Sequence, residues 1–374
     1  MAGYGLCWPE LQALTFTSIT RISRRCIGGL FLYTLSLLAW CGPLEDGIEA
    51  AKAQNFSSAE VAWKQALSQG SMDAAHNLAG LYLSGVLGPP NFNRALDLFK
   101  QAAAAGHVQS IVGLGYVYQN GVGTTVDIPK ATDYFKLAAE KGSIEGKFRF
   151  AEVILKTPKD PVQTKMALGF IEESSKAGFP PALNAVGDML RHGAFVPKNI
   201  KLALDYYKSA ANAGYAESAY AIADVYLNGV DLERDMGQAL EWLKTSSKLG
   251  SSEAGYVLGY LHTRKNSPSQ DDLRLAAEYF LQAANNWHEK AQLEYAAMLL
   301  TGHVVKKNPV EAFKWLELAA STGLEEAHYL RAIVAQQISE VDAARSRKDA
   351  QKWFEKNHVR PHKHRNNAVV HLLR

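Results

Sequence analysis

Three carboxylates, Glu152, Asp188 and Asp224, stand 36 residues apart, and four residues before them come Phe148, Asn184 and Tyr220. Residues four apart share one face of a helix, so each acid is expected beside its partner. The same two series contain Tyr116 one step earlier and Tyr256 with Tyr260 one step later. A row of acids flanked by aromatic rings suits an extended peptide that carries basic and apolar side chains.

The residue types that perform catalysis are poorly arranged for it. Ser-x-x-Lys and His-Glu-x-x-His do not occur, and the glycine pairs Gly113-x-Gly115 and Gly121-x-Gly123 read as packing and turn positions rather than phosphate loops. The three cysteines, Cys7, Cys26 and Cys41, all precede residue 43. The body therefore has no disulfide framework, thiolate metal site or cysteine nucleophile. His358, His362, His364 and His371 crowd a basic tail; a weak transition-metal site is conceivable there, but a solvated tail is the simpler reading. No enzyme activity, cofactor, metal or small-molecule substrate is expected.

Composition agrees with a folded chain: of 374 residues, 47% are hydrophobic and 21% charged, with a formal net charge of +3. A charge this small excludes a strongly basic nucleic-acid-binding surface. Its distribution is uneven. Residues 345–374 hold nine Lys/Arg against two Asp/Glu, while the body is mildly acidic.

Residues 1–42 read as a leader. Arg21, Arg24 and Arg25 precede an apolar run from Cys26 to Cys41, and Glu45, Asp46 and Glu49 follow it. Positive flank, apolar core and negative flank form the pattern of a segment that enters a membrane with its N-terminus inside. The run is shorter than the roughly 20 residues of a spanning helix, so a cleaved export signal is the leading reading. A retained anchor through residues 26–42 is the alternative. The expected location is periplasmic or extracellular, or membrane-anchored with the body on the non-cytoplasmic side, and a body without cysteine suits an oxidising compartment.

What positions the acids and rings is a repeat. Glycine recurs at 70, 106, 142, 178, 214 and 250, and after a shift of one residue Trp287 and Gly323 continue the series. A small residue holds the ninth position of every unit, as in Ala79, Gly115, Ala151 and Gly187. A second small column, Ala95, Ala131 and Ala167 among others, precedes large pairs such as Tyr134-Phe135 and Trp315-Leu316 and small pairs such as Ala138-Ala139. The spacing within Leu114, Gly115, Val117 and Tyr118 is that of one helical face. Each unit thus reads as two helices, with small residues facing large ones and the final glycine in a left-handed cap. A unit this small cannot bury its own apolar stripe, so neighbours must stack.

These columns resemble the Sel-one-like repeat family, a relative of the tetratricopeptide repeats. Residues 107–142 carry its pattern through Leu114-Gly115, Tyr118, Gly121-Val122-Gly123, Lys130-Ala131, Tyr134-Phe135, Ala138-Ala139 and Gly142. The opening Leu44-Glu45-Asp46-Gly47, leading to Ala59 and Trp63, is similar to bacterial exported members. The expected fold is all-α, a right-handed α-α superhelical solenoid of helix-turn-helix repeats. Its parts are a leader at 1–42, a capping half-repeat at 43–70, about seven full repeats plus one degenerate over 71–339, and a capping helix with basic tail at 340–374. Repeats 143–178 and 251–287 depart from the pattern, so irregular stacking is expected there.

The resemblance implies a protein-binding scaffold. The expected docking surface is the concave groove lined by the first helix of each unit, with Tyr116, Phe148, Glu152, Asn184, Asp188, Tyr220, Asp224, Tyr256 and Tyr260 facing a protein or peptide partner. Two other readings stay open: an envelope hydrolase or cell-wall-binding factor, and a quality-control adaptor subunit in the endoplasmic reticulum or another organelle.

Overall fold

The computed structural model describes residues 42–357 apart from 159 and 231. The leader up to residue 41 and the histidine-bearing tail from residue 358 lie outside them.

The described residues are all helix and connection, in nine pairs. These are α1 (Pro43–Lys52) with α2 (Phe56–Ser68), α3 (Met72–Ser84) with α4 (Phe92–Ala104), and α5 (Val108–Asn120) with α6 (Ile128–Glu140). There follow α7 (Ile144–Lys156) with α8 (Pro161–Lys176), α9 (Pro180–His192) with α10 (Ile200–Asn212), and α11 (Ala216–Asn228) with α12 (Met236–Lys248). The last are α13 (Ser252–Thr263) with α14 (Gln270–Asn285), α15 (Glu289–Thr301) with α16 (Pro309–Ala320), and α17 (Glu325–Ala335) with α18 (Glu340–Asn357). They fall into two compact units, one of residues up to Ser110 and one from Ile111 to Phe354. Within each unit the pairs stack in chain order, the arrangement of an α-solenoid.

Local chemistry sets the helix ends. Nearly every trailing helix is capped by an Asn, Asp or Ser whose side chain accepts an early backbone N–H, including Asn91, Asp127, Asp160, Asn199, Asp235, Ser269 and Asn308. The glycine closing each repeat has a positive φ, from +77° at Gly178 to +101° at Gly250. Trp287, in the glycine slot, adopts +69° as well. Its ring is buried against Trp353 (4.8 Å) and Phe354 (5.2 Å), a packing gain that offsets the conformation.

The small column faces the large one within each pair. A Cβ on Gly115 would stand 2.3 Å from the Phe135 ring, on Gly187 2.5 Å from Tyr207, and on Gly259 2.6 Å from Phe280. Where the column is alanine, at Ala151, Ala223 and Ala296, the residue 20 positions on is aliphatic: Ile171, Leu243 and Leu316. Glycine makes room for a ring, and alanine accompanies a branched chain. Ala79 with Phe99 departs from this pairing.

Three expectations are corrected. Residues 43–70 form a pair of helices, not half a unit, with Gly47 under the Trp63 indole and the indole N–H donating to the Leu44 carbonyl at 3.2 Å. The repeats at 143–178 and 251–287 stack with their neighbours like the others. In each, the glycine-free connection is absorbed by a trailing helix of 16 residues in place of 12 or 13, capped by Asp160 in α8 and by a Ser269–Asp272 capping box in α14. Of the serines that replace alanines, Ser174 Oγ donates to the Ile144 carbonyl (3.1 Å) and Ser246 Oγ to the Ala216 carbonyl (2.8 Å), while the buried Ser247 hydroxyl has no hydrogen-bond partner among the described residues.

At the far end, α18 lies against α16 and the end of α14. Ser346 Oγ donates to the Val310 carbonyl at 2.7 Å, and Trp353 contacts both Trp287 and Trp315. Among the described residues no helix is long and apolar enough to cross a membrane.

Candidate partner-binding face

In the first unit the leading-helix face carries a closed polar network. Asp73 and His76 on α3 meet His107 and Ser110 at the start of α5. The His107 Nδ1 accepts the Ser110 backbone N–H at 3.2 Å and so caps the helix, while its Nε2 faces Asp73 Oδ1 at 3.1 Å. Ser110 Oγ lies 2.9 Å from His107 Nδ1 and 3.1 Å from His76 Nδ1. The order Asp, His, Ser imitates a hydrolase triad, but Ser110 is fully buried, and a nucleophile must reach its substrate. Burial, reinforced by neighbouring His107, pushes His76 down to about 4.

The second unit repeats the device in altered form. Asn184 stands 108 residues after His76, in the same column, and its Oδ1 accepts the Ser218 hydroxyl at 2.7 Å as His76 meets Ser110. His288 caps α15 through Nδ1 to the Ala291 N–H (3.2 Å) and faces Glu253 Oε2 at 3.1 Å, as His107 faces Asp73.

Three of the nine expected groove residues are in the core. Phe148 is 1% exposed, packed on Ala151, Ala167, Ile171 and Ala182 and edge-on to Phe179. Asn184 is buried between Ser218 and Asp188. Tyr116 is buried with its ring edge-on to Phe135, and its hydroxyl donates to Glu145 Oε1 at 2.8 Å. The leading helices stand close enough that the column four before the groove acids packs on the next repeat. Exposure expected from one isolated helix is lost there.

The three acids are engaged as well. Glu152 accepts Arg149 Nη1 at 3.1 Å and lies 3.5 Å from Lys156 Nζ. Burial opposes charge on the enclosed Arg149 guanidinium, but Tyr116, Glu152 and Glu145 around it raise it above its ordinary value. Asp188 accepts the Tyr207 hydroxyl at 2.6 Å and Asn184 Nδ2 at 2.9 Å, and burial moves its carboxyl upward against those bonds. Asp224 is paired with Arg191 and accepts Asn228 Nδ2 at 2.8 Å. Of these contacts, Asp224–Arg191 ties one repeat to the next, Asp188–Tyr207 ties α9 to α10, and Glu152 pairs along its own helix.

Of the remaining three residues, Tyr256 and Tyr260 lie together, and Tyr220 stands near Glu253 of the repeat that carries them. Tyr220 on α11 and Tyr256 on α13 are half-buried, and Tyr260 is 41% exposed. Among the described residues no hydrogen bond engages any of their hydroxyls. Tyr256 stacks on His288 (4.4 Å, 15° between planes) and lies 6.3 Å from Tyr260, over which Arg264 sits at 5.1 Å. Burial, with Glu253 and Asp224 nearby, pushes Tyr220 up to about 12. Burial also raises the Glu217 carboxyl, and the Glu294 carboxyl despite Arg264 close by.

Sequence reasoning missed Glu217, Glu253 and Glu294. The signal was available for the first two: Glu217 is three residues before Tyr220 and Glu253 three before Tyr256, one turn along the same face. Two open clefts, one along Pro158, Pro161, Thr164 and Leu168 and one along Tyr295, Val305, Asn308 and Glu311, hold no convergent catalytic group. Among the described residues no group of three His, Cys, Asp or Glu is placed to hold a metal.

The Sel1 repeat model matches residues 73–107, 108–143, 180–215, 216–251, 252–286 and 289–324, more than half of the chain. The chain belongs to the Sel1 repeat family. Sel1 repeat proteins are generally protein-interaction scaffolds without enzymatic activity. A Sel1 repeat protein from Oxalobacter formigenes shares 21% identity, with 64% of this chain and 98% of that one covered and a TM-score of 0.54, which shows the same fold. A protective antigen of uropathogenic Escherichia coli, c5321, described as displaying an SLR fold, gives 20% identity, 88% and 78% coverage and a TM-score of 0.46. The immunity protein Pa5087 of Pseudomonas aeruginosa gives 22% identity, 57% and 81% coverage and a TM-score of 0.46. A search of curated proteins found no match.

Proposed function

We propose that this Sel1 repeat protein is a scaffold that holds an extended protein segment across the leading-helix face of α11, α13 and α15. One observation carries the reading. Tyr220, Tyr256 and Tyr260, with hydroxyls unengaged, lie among carboxylates that burial has made reluctant to ionise. Such a surface offers ring faces and acidic groups, with Arg264 the cation already beside Tyr260 and Glu294. A segment with basic and apolar side chains complements it, its cations between rings and carboxyl groups and its apolar groups on the rings.

We further propose that the scaffold works outside the cytoplasm, either exported or tethered through residues 26–42. The charge pattern around that apolar run and the absence of cysteine after residue 41 support this. Fractionation of cells with N-terminal sequencing of the mature chain tests it; recovery of an uncut chain in the cytosol would contradict it.

The binding test compares the full chain with Tyr220→Ala/Tyr256→Ala and with Glu217→Gln/Glu294→Gln in quantitative affinity purification. Proteins retained by the parent should be lost from both variants while helix content is unchanged. Full retention by both variants would rule out this face.

A further inference from the structure

The third and fourth repeats carry a second surface, on the edge where leading helices turn into trailing ones. The family model matches 108–143 and 180–215 and passes over 144–179 between them. In that stretch the start of α8 leaves Val162 76% exposed, with Lys165 and Met166 exposed beside it. One repeat on, Lys198, Lys201 and Leu202 occupy the same three columns and are exposed too. The turn before α10 adds Phe195, 48% exposed at a φ of +66°, a conformation uncommon for a residue with a side chain. Val126 and Ile128 extend the exposed apolar run onto the preceding repeat. On the following repeat Val230 and Arg234 are exposed, but Glu233 and Asp235 flank the arginine, Gly237 and Gln238 replace the Lys201 and Leu202 columns, and the pattern ends.

The charges of this edge are mainly basic. Lys165 and Lys201 have no ion-pair partner among the described residues. Two carboxylates lie near them: Asp160, which caps α8 by accepting the Val162 backbone N–H at 2.9 Å, and Asp205, one turn after Lys201 on α10. Val162, Met166, Phe195 and Leu202 project singly from a turn and from helix starts, outside the lining of the open cleft along Pro158, Pro161, Thr164 and Lys165. A protein hot spot is a packed, desolvated pocket; single apolar groups ringed by lysine suit a bilayer, where they pass below headgroups that hold the cations.

We propose that the edge formed by Val162, Lys165, Met166, Phe195, Lys201 and Leu202 docks on an anionic lipid surface. This goes beyond the partner-binding reading and shares no residue with it.

The test uses the full chain with Cys7, Cys26 and Cys41 replaced by serine and a single nitroxide-labelled cysteine at Val162, Phe195 or Leu249. Leu249 is an exposed apolar control on the opposite turns. Vesicles are phosphatidylcholine alone or mixed with phosphatidylglycerol. At 162 and 195, collision with oxygen should exceed collision with a water-soluble nickel chelate only on the mixed vesicles, and Lys165→Glu/Lys201→Glu should abolish the difference. The label at 249 should stay aqueous throughout. Because the labels report the edge itself, association through residues 26–42 does not imitate this result. Aqueous labels at 162 and 195 on mixed vesicles, or equal immersion in neutral ones, would overturn the proposal. Shielding by polyglutamate but not by vesicles would instead make the edge a protein-binding patch.

Discussion

His76 offers a direct test of how the repeats are tied together, because the protein contains its own control. Burial holds the imidazole at about 4, against an ordinary value of 6.5. The folded value is depressed, so the neutral side chain stabilises the fold above pH 6.5, and the contribution fades as pH falls toward 4. With those two values, stability lost between pH 7 and pH 5 is roughly 2 kcal/mol. His76→Asn installs the residue found at 184, which accepts the equivalent serine hydroxyl and does not titrate. The variant should match the parent at pH 7 to within about 1 kcal/mol, the scale of one hydrogen bond and ring contact. At pH 5 the parent should have lost roughly 2 kcal/mol more than the variant. Hydrogen exchange of α3 and α4 reads the change locally, which matters in a repeat array whose unfolding need not be two-state. Equal losses in parent and variant would show that His76 is not held neutral and that the network is wrongly described.

Other expected outcomes follow from packing. Gly115→Ala places a Cβ 2.3 Å from the Phe135 ring and should cost about 1–3 kcal/mol by denaturant titration. Adding Phe135→Leu, which copies the Ala223–Leu243 pair, should recover part of that loss; simple additivity would refute the pairing rule. Gly142→Ala meets no neighbouring atom, so its cost, about 1 kcal/mol, should come from the left-handed φ of +87° alone. Arg149→Ala removes the enclosed cation from Glu152 and Glu145, which keep Lys156 and the Tyr116 hydroxyl, and should cost about 1.5–3 kcal/mol. A loss under 1 kcal/mol in a thermal melt would contradict that assignment.

The fold was legible because the repeat writes its own constraints many times. Gly115, Gly187 and Gly259 each face a ring, and the closing glycines each take a positive φ, so period and helix pairing follow from columns alone. The binding face was only partly legible. A column shows which side of one helix a residue occupies, but not how near the next helix stands. Phe148 and Asn184 were therefore expected at the surface and are in the core. Glu152, Asp188 and Asp224 were expected to await a partner, but Arg149, Tyr207 and Arg191 already answer them, the last two from neighbouring helices. Tyr220 and Tyr256 are half-buried and Tyr260 is exposed, and among the described residues no hydrogen bond engages their hydroxyls.

The most direct test of the scaffold reading is site-specific photocrosslinking in cells that make the protein. A benzophenone side chain is placed at Tyr220 or Tyr260, or at Glu241 or Lys244 on the exposed side of α12. The account predicts one discrete adduct shared by positions 220 and 260 and absent from 241 and 244. Adducts from α12 alone, or the same adducts from all four positions, would contradict it.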